Sequence, residues 1–153
     1  MVEWMILPFK RYADFTGRSR RMEYWSFMLL NIGVYILLAL VMFATGASMA
    51  SLASADAANP LALYSVFFSG IGLVFFVWWL VTIVPGIAVA VRRLHDRDMS
   101  GWWLLGFFVA NLVPLVNMIA GIVFLVLMLL PGTAGPNQYG PDPKDPDGAE
   151  VFA

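Results

Sequence analysis

The sequence predicts an all-α integral membrane protein: a helical bundle with three hydrophobic spans, the third kinked or re-entrant, a cytoplasmic N-terminal segment and an extended C-terminal tail. Three observations carry that expectation. Of the 153 residues, 61% are hydrophobic and only 12% charged, and mean hydropathy is +0.79, outside the usual range of soluble globular chains. The apolar residues form three long uncharged stretches. The charges, Asp56 apart, gather in three short segments at residues 3–23, 92–98 and 142–150. One membrane domain, residues 1–130, is followed by a Pro/Gly-rich acidic tail, residues 131–153; once the spans are subtracted, too little chain is left for a separate soluble core.

Met1 to Phe9 is apolar with Trp4, and Pro8 limits it to a short helix along the inner surface. Residues 1–23 then hold Lys10, Arg11, Arg18, Arg20 and Arg21 against Glu3, Asp14 and Glu23, a local charge of +2. The first span, residues 24–45, would be about 33 Å long as a helix, a match to a bilayer core of about 30 Å. The loop at 46–60, GASMASLASADAANP, has neither lysine nor arginine. Its Ala53-Ser54-Ala55 imitates a signal-peptide cleavage site, but the preceding basic region and apolar run are both too long, so the span is expected to be retained.

The second stretch, Leu61 to Val91, would be about 46 Å as one helix, too long to cross upright. Pro85 followed by Gly86 suggests a kink near the interface, with residues 62–84 crossing. Beyond it, RRLHDRD carries Arg92, Arg93 and Arg97 against Asp96 and Asp98. The third stretch, Trp102 to Leu130, is interrupted by Asn111, Pro114 and Asn117. Either it is one kinked span that sends the tail across, or it is a re-entrant hairpin that returns the tail to its starting side. The single span is preferred, because a turn deep in hydrocarbon needs its backbone groups satisfied by protein or water. The tail, with a net charge of −3, should be extended or disordered unless Tyr139 packs back on the helices.

The positive-inside rule puts residues 1–23 and the loop 92–101 in the cytoplasm and the 46–60 loop outside. Tyr24, Trp25, Trp102 and Trp103 begin their spans beside the arginines, where aromatic interface anchors are expected.

Three runs together, YADFTGRSRRMEYW (12–25), PGIAVAVRRLHDRDMSGWW (85–103) and PGTAGPNQYGPDP (131–143), resemble the small bacterial inner-membrane proteins catalogued as domain of unknown function 805. The resemblance covers nearly the whole chain and is most specific in RRLHD, in SGWW and in the order of the blocks. It implies a multi-pass protein of the bacterial inner membrane and supplies no activity. The chain departs from the family pattern at Asp98, where a small residue is commoner, and at Gln138, where a basic one is.

The arginine cluster admits two readings. As a structural latch, Arg18, Arg20, Arg21, Arg92, Arg93 and Arg97 pair with Asp14, Glu23, Asp96 and Asp98 across two cytoplasmic segments. Six arginines against four carboxylates leave a positive surplus, and the planar guanidinium fork suits phosphate as well as carboxylate. The surplus, with His95, points to anionic lipid headgroups or a membrane partner, each basic residue contributing about 1 kcal/mol near an anionic surface. The expected partners are therefore membrane lipids, with a homo-oligomer or another membrane protein beside them, and no nucleic acid.

An enzyme using His95 is the weaker alternative: neighbours on a helix point about 100° apart, so His95 and Asp96 are poorly placed to pair, and Ser100 before Gly101 suits a helix cap. No catalytic residue is assigned, and no cofactor is expected. One histidine and no cysteine leave no metal site, and disulfides are excluded. A transporter or channel subunit acting as an oligomer is the other alternative; Asn31, Thr82, Asn111 and Asn117 are neutral and suit interhelical bonding, and Gly86 with Ala90 and the SGIG run at 69–72 offer close-packing surfaces.

Overall fold

The computed structural model describes residues 1–44 and 70–145, and among these there are five α-helices and no strand. The predicted outer loop, Thr45, residues 62–69 of the second span and the tail from residue 146 lie outside the described residues. Helix α1 is Val2–Lys10, α2 is Arg21–Ala44, α3 is Ile71–His95, α4 is Trp102–Asn111 and α5 is Val116–Leu129. The chain divides into two compact units, Met1–Met28 with Val84–Ala153, and Leu29–Ile83.

Two segments, Arg21–Ala44 and Gly72–His95, are long and apolar enough to cross a membrane, each 24 residues and so about 36 Å of helix. Helix α2 starts three residues earlier than the hydrophobic pattern, because Arg21 and Glu23 occupy its first turn, where an acidic group suits the positive end of the helix dipole. Helix α3 does not end at Pro85; its assignment runs on to His95, and Arg92, Arg93 and His95 occupy its last turn, the dipole's negative end.

The third stretch is not one continuous helix. Helices α4 and α5, of 10 and 14 residues, would extend about 15 and 21 Å, each short of a bilayer core of about 30 Å. They form a hairpin: Phe107 meets Phe124 edge to face with centroids 5.3 Å apart, and Arg97, just before α4, donates to the Pro131 carbonyl just after α5 at 2.9 Å. Pro114 has no N–H to continue α4 and biases Val113 away from helical geometry, and Leu115 completes the reversal at φ 69°. The turn satisfies much of its own backbone, with the Leu112, Val113 and Asn117 amides donating to the carbonyls of Val109, Ala110 and Val113. That local pairing supplies what a buried turn was expected to lack.

The described part of the tail, residues 131–145, is likewise not free. It returns to the end of α3, and Tyr139 lies flat on the His95 ring with centroids 3.9 Å apart and planes 2° from parallel. Within this unit a small apolar core, Tyr24, Phe27, Val89, Ala90, Leu94 and Met128, ties α2, α3 and α5 together, and Phe9 of α1 meets Phe27 at 5.4 Å.

In the unit Leu29–Ile83 most described side chains are exposed and apolar. Tyr35 stacks on Phe75 at 6.0 Å, and the Thr82 hydroxyl donates to the Trp78 carbonyl of its own helix at 2.8 Å.

Candidate functional site

The end of α3 is built as a reversed turn that points arginines inward. The Met99 amide donates to the Leu94 carbonyl at 3.0 Å and the Asp98 amide to His95 at 2.9 Å, with Asp98 left-handed at φ 58°. This is a Schellman ending, and Met99 packs near Leu94 as that motif favours. It folds Asp96 back beneath Arg93, three residues earlier.

Three arginines are buried there with two carboxylates. Arg92 Nη2 meets Glu23 Oε1 at 2.7 Å, and the other Glu23 oxygen accepts the Ser19 hydroxyl at 2.7 Å. Arg18 Nε meets Asp96 Oδ1 at 3.0 Å, while Arg93 Nη1 takes Asp96 Oδ2. All five side chains are at most 5% exposed, so these charges interact with little solvent screening. The Ser19 amide caps the Arg92 carbonyl at 3.1 Å and joins the N-terminal segment to α3.

Other guanidinium donors go to main-chain carbonyls, and most of these belong to residues 128–143. Arg18 donates to Thr133 at 2.5 Å and Gly135 at 2.6 Å, with a longer contact to Gly140 at 3.5 Å. Arg93 donates to Leu130 and, at 3.4 Å, to Met128. Arg21 reaches Leu129 at 3.2 Å, Arg97 reaches Pro131 and Arg20 reaches Pro143. Arg92 instead donates to the Asp14 carbonyl. Arg20 also lies 5.7 Å from the Trp4 ring centroid, within cation–π range. Helix α5 has no basic residue in its own last turn, and these arginines supply what its terminal carbonyls need.

Several expected roles change. Headgroup contact through Arg18, Arg92 and Arg93 needs their guanidinium groups at a surface, and the structure buries all three. Asp14 pairs with Arg11 at 2.7 Å rather than with a cluster arginine. Its carboxyl is held well below the ordinary carboxylate range, first by the Thr16 hydroxyl and then by Arg11. Asp98 is exposed at the left-handed position of the turn and has no ion pair among the described residues. Tyr24 lies in the apolar core, and Trp25 is half-buried with Nε1 donating to the Met128 carbonyl at 3.2 Å. Trp102 and Trp103 are exposed, at 78% and 55%.

His95 and Asp96 serve different partners. The His95 Nδ1 lies 3.2 Å from the Gly17 carbonyl, so that nitrogen carries the proton, while both Asp96 oxygens are taken by arginines. Among the described residues no three His, Cys, Asp or Glu side chains come together as metal ligands.

The sequence reading missed the tail's part in the site. A Cβ on Gly132 would sit 1.9 Å from Asp96 Oδ2, so only glycine passes there. The Thr133 amide donates to the Asp96 carbonyl at 2.8 Å, and Asn137 Nδ2 caps the His95 carbonyl at 2.9 Å. Asp142 accepts the Lys144 and Gly135 amides, and these bonds, with Arg18 nearby, lower its pKa. The PGTAGPNQYGPDP run was visible, but nothing in its side chains announces a row of carbonyl acceptors.

The family model described as "Protein of unknown function (DUF805)" matches residues 12–141, which take in the cluster and the tail as far as Pro141. The chain belongs to this family. It is 36% identical over 143 residues to inner membrane protein YhaH of Escherichia coli K12, covering 94% of this chain and 98% of that one. It is 34% identical over 143 residues to inner membrane protein YhaI of the same strain, covering 94% and 97%. To the protein YiiR of that strain it is 30% identical over 150 residues, covering 86% and 87%. No solved structure matches. With two helices of spanning length and relatives of this kind, the chain is an integral inner-membrane protein.

Proposed function

We propose that the protein is a binding module of the cytoplasmic leaflet that holds anionic lipid headgroups. In this reading α2 and α3 cross the membrane, residues 1–23 and 92–101 are cytoplasmic, and the α4–α5 hairpin enters from that face and returns to it. The excess of lysine and arginine in those two segments supports the orientation. One observation carries the binding reading: Arg20, Arg21 and Arg97 have no carboxylate partner among the described residues and rest only on carbonyl oxygens or the Trp4 ring. Carbonyl dipoles do not neutralise three full charges, whereas a phosphodiester does.

The test is native mass spectrometry from mild detergent. Wild type should retain phosphatidylglycerol over phosphatidylethanolamine, and the Arg20→Gln, Arg21→Gln, Arg97→Gln variant should lose that preference while keeping its helical circular dichroism spectrum. Equal retention of both lipids by the wild type would refute the reading. Because the chain has no cysteine, Ala13→Cys labelling by an impermeant maleimide tests orientation, with reaction expected only in inside-out vesicles.

A further inference from the structure

We propose that residues 130–145 are a displaceable strap over a second, deeper phosphate site, formed by Arg18 and Arg93 with Arg20 and Arg97 at its rim. This rests on the headgroup-binding reading and extends it from Arg20, Arg21 and Arg97 to the buried Arg18 and Arg93.

The first ground is charge. The buried set holds three guanidinium groups and two carboxylates, a surplus of one positive charge that the strap meets with carbonyl oxygens. Donors are also left over, since Arg92 Nε within the set and Arg97 Nε beside it are buried without a hydrogen-bond partner. A phosphate monoester or diester brings both the missing negative charge and several acceptor oxygens.

The second ground is how the strap is held. Four of the arginines that grip it do so through the carbonyls of Leu130, Pro131, Thr133, Gly135 and Pro143, contacts that any oxygen-rich anion reproduces. Pro131, Pro136, Pro141 and Pro143 donate no amide to any ladder, and the strap has no helix or strand of its own. Its ring contact among the described residues is Tyr139 on His95. A segment held by polar contacts and one ring stack opens at lower cost than the helices beneath it.

The third ground is the fit at Gly132, where the strap passes so close to Asp96 that no side chain is tolerated. That pass seats the strap against Asp96, and its departure would free donors of both Arg18 and Arg93.

The experiment is hydrogen exchange on the full chain in nanodiscs, with phosphatidylcholine alone, phosphatidylcholine with phosphatidylglycerol, and phosphatidylcholine with added pyrophosphate. The reporter is the Thr133 amide, which the Asp96 carbonyl protects at 2.8 Å in the docked strap. Phosphatidylglycerol should speed its exchange while Leu94 stays protected. If pyrophosphate does so and the lipid does not, the site stands and its ligand is a soluble phosphate. If lipid binds but exchange at Thr133 is unchanged in every disc, the strap inference falls and the surface-binding reading survives. If neither anion is retained, both fall.

A second variant separates a strap from a structural tail. Tyr139→Ala removes the ring stack and should raise anion affinity about 5-fold, since a competing segment then covers the site for less of the time. A purely structural tail predicts unchanged or weaker binding, and that result overturns the inference.

Discussion

The described parts of the two units are held by different forces. In Leu29–Ile83 most described side chains are apolar and exposed, and the contacts include ring stacking and a hydroxyl bonded within its own helix. Lipid tails are as apolar as leucine, so burial there gains little and dispersion does most of the holding. In the other unit the centre is three arginines and two carboxylates, backed by main-chain oxygens. The difference teaches where sensitivity to mutation should lie: conservative apolar changes should be tolerated in the first, and loss of one charge should not be in the second.

The sharpest way to break that contrast is Arg92→Gln. It leaves Glu23 buried with its main counter-charge gone, and removing one partner of a buried pair costs about 3–5 kcal/mol. Arg21→Gln, whose arginine is exposed, should cost less than about 1 kcal/mol. Thermal unfolding in detergent compares them, and equal effects would mean that water reaches the cluster. Replacing both members, Arg92→Met with Glu23→Leu, should recover much of the loss, because no lone charge is then left inside. Gly132→Ala comes next. Its Cβ has no room beside Asp96, so the tail must shift, at about 1–3 kcal/mol and with faster exchange of the Thr133 amide.

The same contrast explains what the sequence made legible. The two long helices were readable because lipid selects composition and length, both of which are properties of side chains. Pro114 announced a break in the third stretch but not its consequence, since proline is compatible with a kink and with a reversal. The choice was made by Leu115 in a left-handed conformation and by amides that pair within the turn, neither of which leaves a sequence signature. The arginines were legible as a cluster, and their surplus over carboxylates was countable. Their principal acceptors were not, because every residue carries a carbonyl and only the path of the chain decides which ones meet a guanidinium.

A smaller effect tests the margin of the cluster through pH. Asp14 has a folded pKa depressed below its unfolded value, so the stability it contributes is present above the ordinary carboxylate range, about 3.9, and is lost as pH falls through its lowered folded value. Wild-type unfolding midpoints should be flat from pH 7 to 5 with respect to this group and fall below about pH 4. Asp14→Asn should be less stable at pH 7 and show a shallower acid limb. Parallel acid limbs would mean that Arg11 and Thr16 do not hold the carboxylate in solution.

The smallest effect expected is a gain. Asp98 ends α3 in a left-handed conformation, which glycine adopts without the steric cost that a Cβ imposes. Aspartate tolerates that region better than most residues, and glycine loses more chain entropy on folding, so Asp98→Gly should stabilise by no more than about 0.5–1 kcal/mol. The side chain is exposed and has no ion pair among the described residues, so lipid retention should not change. A loss of stability would be the more informative result. It would show that the carboxylate offsets the cluster's positive surplus from outside, through solvent, and that the boundary between the arginine-rich centre and its surface lies further out than the ion pairs indicate.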